Sequence, residues 1–194
     1  MLFRSLYYKE EVEQKIIDAL NVPEFAEFYG LKEYTYHGYP ISGFHKYQEN
    51  LVKYFNHLNL PYEQNIHGNP TLENTLYSLK DNKIVFVDCY EESIIDTKYL
   101  DYAQVLQCSR SHYGYINDRE VIVDGNDVGN NLIIPASFKK FNEHFESKME
   151  HKKELINVLE ATQFIRMLPF KCLAGDLDKA KYFYVHACYL LKKV

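Results

Sequence analysis

The chain reads as an α+β protein, mostly helical, with one small β-hairpin. Three observations predict this. Apolar residues recur at helical spacing in several separate stretches, from Glu10–Leu20 to Asp176–Lys193. Two short runs, Thr75–Leu79 and Lys83–Asp88, are joined by Lys80-Asp81-Asn82, a tripeptide suited to a tight turn. At 194 residues and 46% hydrophobic content, the chain holds enough apolar surface for a real core.

Taken in order, Val12, Ile16, Ile17 and Leu20 share one face of a helix over Glu10–Leu20, which Pro23 ends. Glu24–Leu31 is a second short helix that stops near Gly30. Lys32–Tyr39 alternates aromatic and polar residues and reads as a strand or strand-like arm. Ser42 or Gly43 caps a helix running to about Leu58, with Phe44, Tyr47, Leu51, Tyr54, Phe55 and Leu58 on its buried face. Pro61 then turns the chain toward Ile66. After the hairpin, Asp101–Arg110 forms a helix with Asp96 or Thr97 near its start. Glu120–Val123 is a short strand, and the turn-rich Asp124–Asn131 reads as a flexible hairpin tip. That stretch lacks the acidic spacing and closing Glu of an EF-hand, so calcium is not expected there. Three helices follow, Ala136–Met149, Lys152–Met167 and Asp176–Lys193, separated by His151 and by Pro169–Gly175. Their core stripes are Phe138, Phe141 and Phe145, then Leu155, Val158, Leu159 and Phe164.

Composition narrows the function classes. A net charge of −5 and a pI near 5.9 argue against a nucleic-acid backbone as partner. Cys89, Cys108, Cys172 and Cys188 are widely spaced and form no Cys-x-x-Cys pair, so structural zinc and a disulfide framework are not expected. No run has the length of a signal or of a membrane span, which makes the cytoplasm the expected location and excludes a membrane partner. Eighteen Tyr and twelve Phe without a Trp fit base or sugar stacking, but also an AT-rich coding bias, and decide nothing alone.

The candidate chemistry lies between Ile66 and Ala103. The loop Ile66-His67-Gly68-Asn69-Pro70-Thr71-Leu72-Glu73-Asn74 leads to an apolar run, Ile84-Val85-Phe86-Val87, that ends abruptly in Asp88. The hairpin places Asn74 at one strand's entry and Asp88 at the other's exit, so both side chains can face one cation. Mg²⁺ takes one or two carboxylates and leaves its other positions to phosphates and water, so two protein ligands suffice. A turn Asn and a strand-end Asp each have an ordinary backbone role as well. Their joint spacing is what favours a metal.

That spacing resembles the catalytic loop of the aminoglycoside phosphotransferase and choline kinase family, which reads His-Gly-Asp-x-x-x-x-Asn and is followed by a strand carrying a metal Asp. Asp96-Thr97-Lys98-Tyr99-Leu100-Asp101-Tyr102-Ala103 looks like the family's Asp-(Pro/Thr)-x-Tyr-Asp-Leu-Ala segment. Phe164–Phe170 looks like the closing helices of relatives found in bacterial capsule-synthesis loci. The three segments occur in family order between Phe44 and Val194. The resemblance implies a kinase-like C-lobe over residues 41–194, residues 1–40 as an N-terminal helical and strand appendage, and no complete N-lobe. It implies Mg²⁺ and ATP as cofactors, Asn69 at the catalytic position, and Asn74 and Asp88 on the metal. His67 would shape the loop, with Asp101 as its scaffold partner.

Two departures from the family pattern matter. Asn69 stands where the family has its catalytic Asp, and a neutral amide accepts a hydrogen bond without holding a proton near neutral pH. Positioning and electrostatics dominate phosphoryl transfer, so the expected cost is roughly 10²- to 10⁴-fold in rate rather than complete loss. Asn69 is either the residue of a degenerate relative or a replacement for an Asp. Transfer of its role to Glu73 or Asp88 is disfavoured, because Glu73 points away in a regular loop. Second, Lys32, Lys46 and Lys53 precede the loop, but none sits on a strand of the kind that pairs with phosphates. A second chain completes the cleft, or the lobe is a remnant.

The expected function is ATP- and Mg²⁺-dependent phosphate transfer to a hydroxyl of a sugar or amino alcohol, in surface polysaccharide metabolism and impaired at Asn69. Acidic residues Glu91, Glu92 and Asp96 would suit a cationic acceptor. The alternative is a non-catalytic kinase-like lobe that binds a ligand or a protein.

Overall fold

The computed structural model describes residues 2–57, 66–90 and 93–194. Helix α1 (Leu2–Tyr8) passes through a π-helical turn (Lys9–Glu13) into α2 (Gln14–Ala19). Val12, Ile16 and Ala19 are buried, whereas Ile17, expected on the same face, is half exposed. Helix α3 (Pro23–Tyr29) begins with Pro23 in its first turn, where a missing N–H costs nothing. Strands β1 (Glu33–Tyr36) and β2 (Tyr39–Ser42) are joined by His37-Gly38, both at positive φ, as a two-residue hairpin requires. Pro40 hid β2 in the sequence; it is tolerated because β2 is an edge strand.

Helix α4 (His45–His57) buries Leu51 and Phe55; its expected end at Leu58 and the turn at Pro61 lie outside the described residues. A 3₁₀ turn (Leu72–Asn74) enters β3 (Thr75–Ser78), which pairs antiparallel with β4 (Lys83–Phe86). Then come α5 (Lys98–Ser109), the short α6 (Tyr113–Asp118), β5 (Ile122–Asp124), β6 (Asp127–Gly129), α7 (Ala136–Met149), α8 (Lys153–Leu173) and α9 (Leu177–Leu191). The architecture is α+β with two small sheets, ordered β2-β1-β6-β5 and β3-β4.

Several expectations need correction. Asp124–Asn131 does hold the tip of a hairpin, as expected, but the tip is not loose. The β5–β6 hairpin runs from Ile122 to Gly129, and β6 pairs parallel with β1; the Thr35 N–H donates to the Asn126 carbonyl at 2.9 Å, and Asn126 Nδ2 to the Glu33 carbonyl at 3.1 Å. The aromatic stripe of α7 is not core. No described residue of that helix is buried, and Phe141 is 43% exposed. Helix α8 continues past Met167 and through Pro169 to Leu173. Proline removes one backbone bond there, and burial of Leu168, Pro169 and Cys172 offsets the loss.

Helix α8 is the centre of the molecule. Every residue from Leu155 to Ile165 is buried, as befits a helix surrounded by α2, α5 and α9. The core is continuous: Tyr7, Val12, Phe25, Tyr34 and Tyr36 belong to the same cluster as Leu100, Phe164 and Phe183. A division near residue 40 would fall inside β2. Much of the tyrosine content is internal. The Tyr34 hydroxyl donates to the Phe28 carbonyl at 2.6 Å, and the Phe44 N–H donates to the Tyr184 hydroxyl at 3.0 Å, so these rings are buried without orphaned oxygens.

A buried polar relay crosses this core. Arg110 and Ser111 both donate to the Glu160 carboxylate. With the Ser111 proton so used, His186 Nε2–H donates to Ser111 Oγ at 2.7 Å. His186 Nδ1 then accepts from Tyr36, which accepts from Tyr182 at 2.8 Å, which accepts from Asn130 at 2.6 Å. These bonds tie β1, α8 and α9 together through the core.

Candidate functional site

The loop around His67 is held by α5. Asp101 Oδ2 accepts from the His67 backbone N–H at 2.8 Å, and Oδ1 accepts from the Gly68 N–H at 2.9 Å. One carboxylate spanning two successive amides fixes the loop with charge-assisted bonds. Gly68 is required twice over: its φ is +77°, and a β-carbon there would lie 2.4 Å from the Tyr90 carbonyl oxygen. The Tyr90 N–H in turn donates to the His67 carbonyl at 3.0 Å, tying the loop to the segment after Asp88.

His67 acts within the loop. Its Nδ1 accepts from the Asn69 N–H at 3.2 Å, and its ring meets Phe86 edge-on at 5.4 Å. The proton therefore resides on Nε2, which is buried and has no hydrogen-bond partner among the described residues. Asn74, closing the 3₁₀ turn, donates from Nδ2 to the Asn69 carbonyl at 3.0 Å. That bond orients the amide and leaves Oδ1 as its acceptor. The Asn74 carbonyl accepts from the Val87 N–H at 2.9 Å, so the β3–β4 pairing extends to the residue before Asp88. Asp88 has φ +58°, an uncommon conformation that Asp tolerates better than most residues.

Asn69, Asn74 and Asp88 line one cavity of about 500 Å³. His67 and Asp101 do not line it and stand behind the loop. Of the five residues singled out from the sequence, His67, Asn69, Asn74 and Asp88 belong to the loop and hairpin and Asp101 to α5; three face the cavity and two brace them. Lys32, Lys46 and Lys53 do not line it. Neither does Asp96, and Glu91 and Glu92 lie outside the described residues.

Glu73, expected to point away, lines the cavity too. The rest of the wall was not foreseen. Glu11 and Lys15 come from the π-helical turn and α2, Gln104 and Gln107 from α5, Tyr113 from α6, and Gln163, Arg166, Met167 and Phe170 from α8. These positions form no motif. Glu11 and Lys15, four apart on a helix, look like an ordinary solvated pair, yet Glu11 instead meets Arg166 Nε at 2.7 Å. A π-helical turn at this point fits the tendency of such turns to sit at functional sites.

Among the described residues, no group of three or more His, Cys, Asp or Glu side chains is placed to hold a metal ion. The donor set here is one carboxylate and one amide oxygen. That suits an Mg²⁺ delivered with phosphate oxygens and water, and does not suit a resident ion held by protein alone. No described helix is long and apolar enough to cross a membrane. Comparison with protein-family models, with curated proteins and with solved structures finds no match for this chain.

Proposed function

We propose that the chain is a kinase-like phosphotransferase lobe of the aminoglycoside phosphotransferase type, using ATP and Mg²⁺ to phosphorylate a hydroxyl on a small molecule. The observation that carries this is the convergence of Asn69, Asn74 and Asp88 on one cavity while Asp101 clamps the loop from behind. Asn74 Oδ1 and the Asp88 carboxylate would hold Mg²⁺, which supplies charge neutralisation at the phosphates. Asn69 would accept a hydrogen bond from the acceptor hydroxyl and orient it without taking its proton.

The β3–β4 hairpin supports a site shared with a second chain. Leu76, Tyr77, Ile84 and Phe86 are all more than half exposed, from both faces of the ribbon. A two-stranded ribbon with bare apolar faces is marginal alone, and contiguous exposed apolar surface marks a place of contact. A nucleotide base and the chain that covers it account for both.

A second reading, a non-catalytic lobe that binds ligand or protein, is favoured by Asn69 itself. The two separate on Asn69→Asp. With Mg²⁺ and ATP, that substitution raises phosphate transfer to a panel of sugars and amino alcohols by roughly 10²- to 10⁴-fold if the site lacks only its base. No turnover by either form favours the binding module.

A further inference from the structure

The cavity wall opposite in origin to the loop, built from α5 and α8, carries more polar surface than packing needs. Gln104 is 5% exposed and Gln107 6%, and they sit three residues apart on one helix. Gln104 Oε1 is buried without a hydrogen-bond partner among the described residues. Gln107 lines the same cavity. Buried amides are normally bonded, because an unmet donor or acceptor forfeits its hydration. Gln104 Oε1 therefore awaits a hydrogen-bond donor from a ligand, and Gln107 borders the same space one turn on. Gln163, by contrast, is satisfied: it donates to the Tyr7 hydroxyl at 3.2 Å and accepts from Arg166 at 3.0 Å.

Charge on this wall points the same way. Glu11 is neutralised by Arg166 at 2.7 Å, and Lys15 adds a positive charge that no described carboxylate pairs. Of the cavity's other carboxylates, Asp88 is the metal candidate and Glu73 is exposed on the 3₁₀ turn. An ammonium group on the acceptor would face Lys15, the unpaired cation of this wall among the described residues, at a cost. Hydroxyl groups, each both donor and acceptor, match paired amides.

We infer that Gln104 and Gln107 form the acceptor subsite, and that the acceptor is a polyhydroxylated molecule without a cationic group: a sugar or sugar alcohol, neutral or acidic. This rests on the phosphotransferase reading for the word acceptor, but the subsite stands on its own side chains and its test does not require turnover.

The test is ligand-observed NMR on the intact chain with glucose, N-acetylglucosamine, ribitol and glucuronate against choline, ethanolamine and kanamycin. Affinity of Mg-ADP is measured separately by calorimetry. Expected is binding of at least one polyol but of neither choline nor ethanolamine, weakened about 10-fold or more by Gln104→Leu. Gln107→Leu, whose position borders the open cavity, gives the same loss should the Gln104 variant fold poorly. Binding of only the cationic probes, of no probe, or polyol binding indifferent to both substitutions overturns the inference. Polyol binding without Mg-ADP binding keeps the subsite and removes the kinase reading; Mg-ADP binding with choline preferred does the reverse.

Discussion

The carboxylate of Asp101 lies 2.9 Å from the backbone amide of Gly68, across thirty-three positions of sequence, and grips the neighbouring amide of His67 at 2.8 Å. This clamp makes a turn on the surface into a fixed platform. It also couples the platform to α5, whose next turns supply Gln104 and Gln107 to the same cavity.

Removing the clamp should loosen the loop. Asp101→Ala leaves two amides without acceptors and is expected to cost about 1.5–3 kcal/mol in chemical denaturation, in line with bonds to a charged group. Asp101→Asn, with one carbonyl oxygen in place of two, should lose less. Equal loss from both would show that the carboxylate acts through something other than the paired bonds.

Gly68→Ala tests the close approach of the loop to Tyr90. The added carbon meets the Tyr90 carbonyl at 2.4 Å on a backbone already at φ +77°. The expected result is a destabilisation of about 1–3 kcal/mol, with loss of protection at the Tyr90 amide in hydrogen exchange. Wild-type protection and stability would mean that the two segments are not in contact.

The buried relay makes a prediction for pH. Burial holds His186 well below its ordinary value of 6.5, helped by the charges of Lys193 and Arg110. The unfolded chain takes up a proton near that ordinary value while the folded chain does not. Unfolding therefore gains protons as pH drops, and stability is full above 6.5 and declines below it. The slope from this group is at most about 1.4 kcal/mol per pH unit. His37 and His112, also lowered by burial, add in the same direction. His186→Gln should flatten the denaturation profile between pH 6.5 and 5; parallel profiles for the two proteins would refute this.

Elements legible in the sequence are those with local causes. The turn tripeptide Lys80-Asp81-Asn82 between two short runs made the β3–β4 hairpin readable, and the spacing from His67 to Asn74 made the loop readable. Pairings between distant segments were not. Nothing local joins Tyr36 to Val128 or shows that α7 covers the molecule from one side only. The cavity divides in the same way. Asn69, Asn74 and Asp88 lie within twenty residues of one another, whereas Glu11, Gln104, Gln107 and Arg166 meet only through the packing of the π-helical turn and α5 against α8. A glutamine on a helix carries no sign of its destination until its neighbours are placed.

The most direct measurement is calorimetric titration of the chain with ATP, with and without Mg²⁺, alongside Asp88→Asn and Asn74→Ala. Binding that requires Mg²⁺ and weakens at least about 10-fold in each variant is the predicted result. Magnesium-independent binding, or affinity unchanged by either substitution, would contradict a divalent site between these two side chains and leave the fold without a phosphate-transfer role.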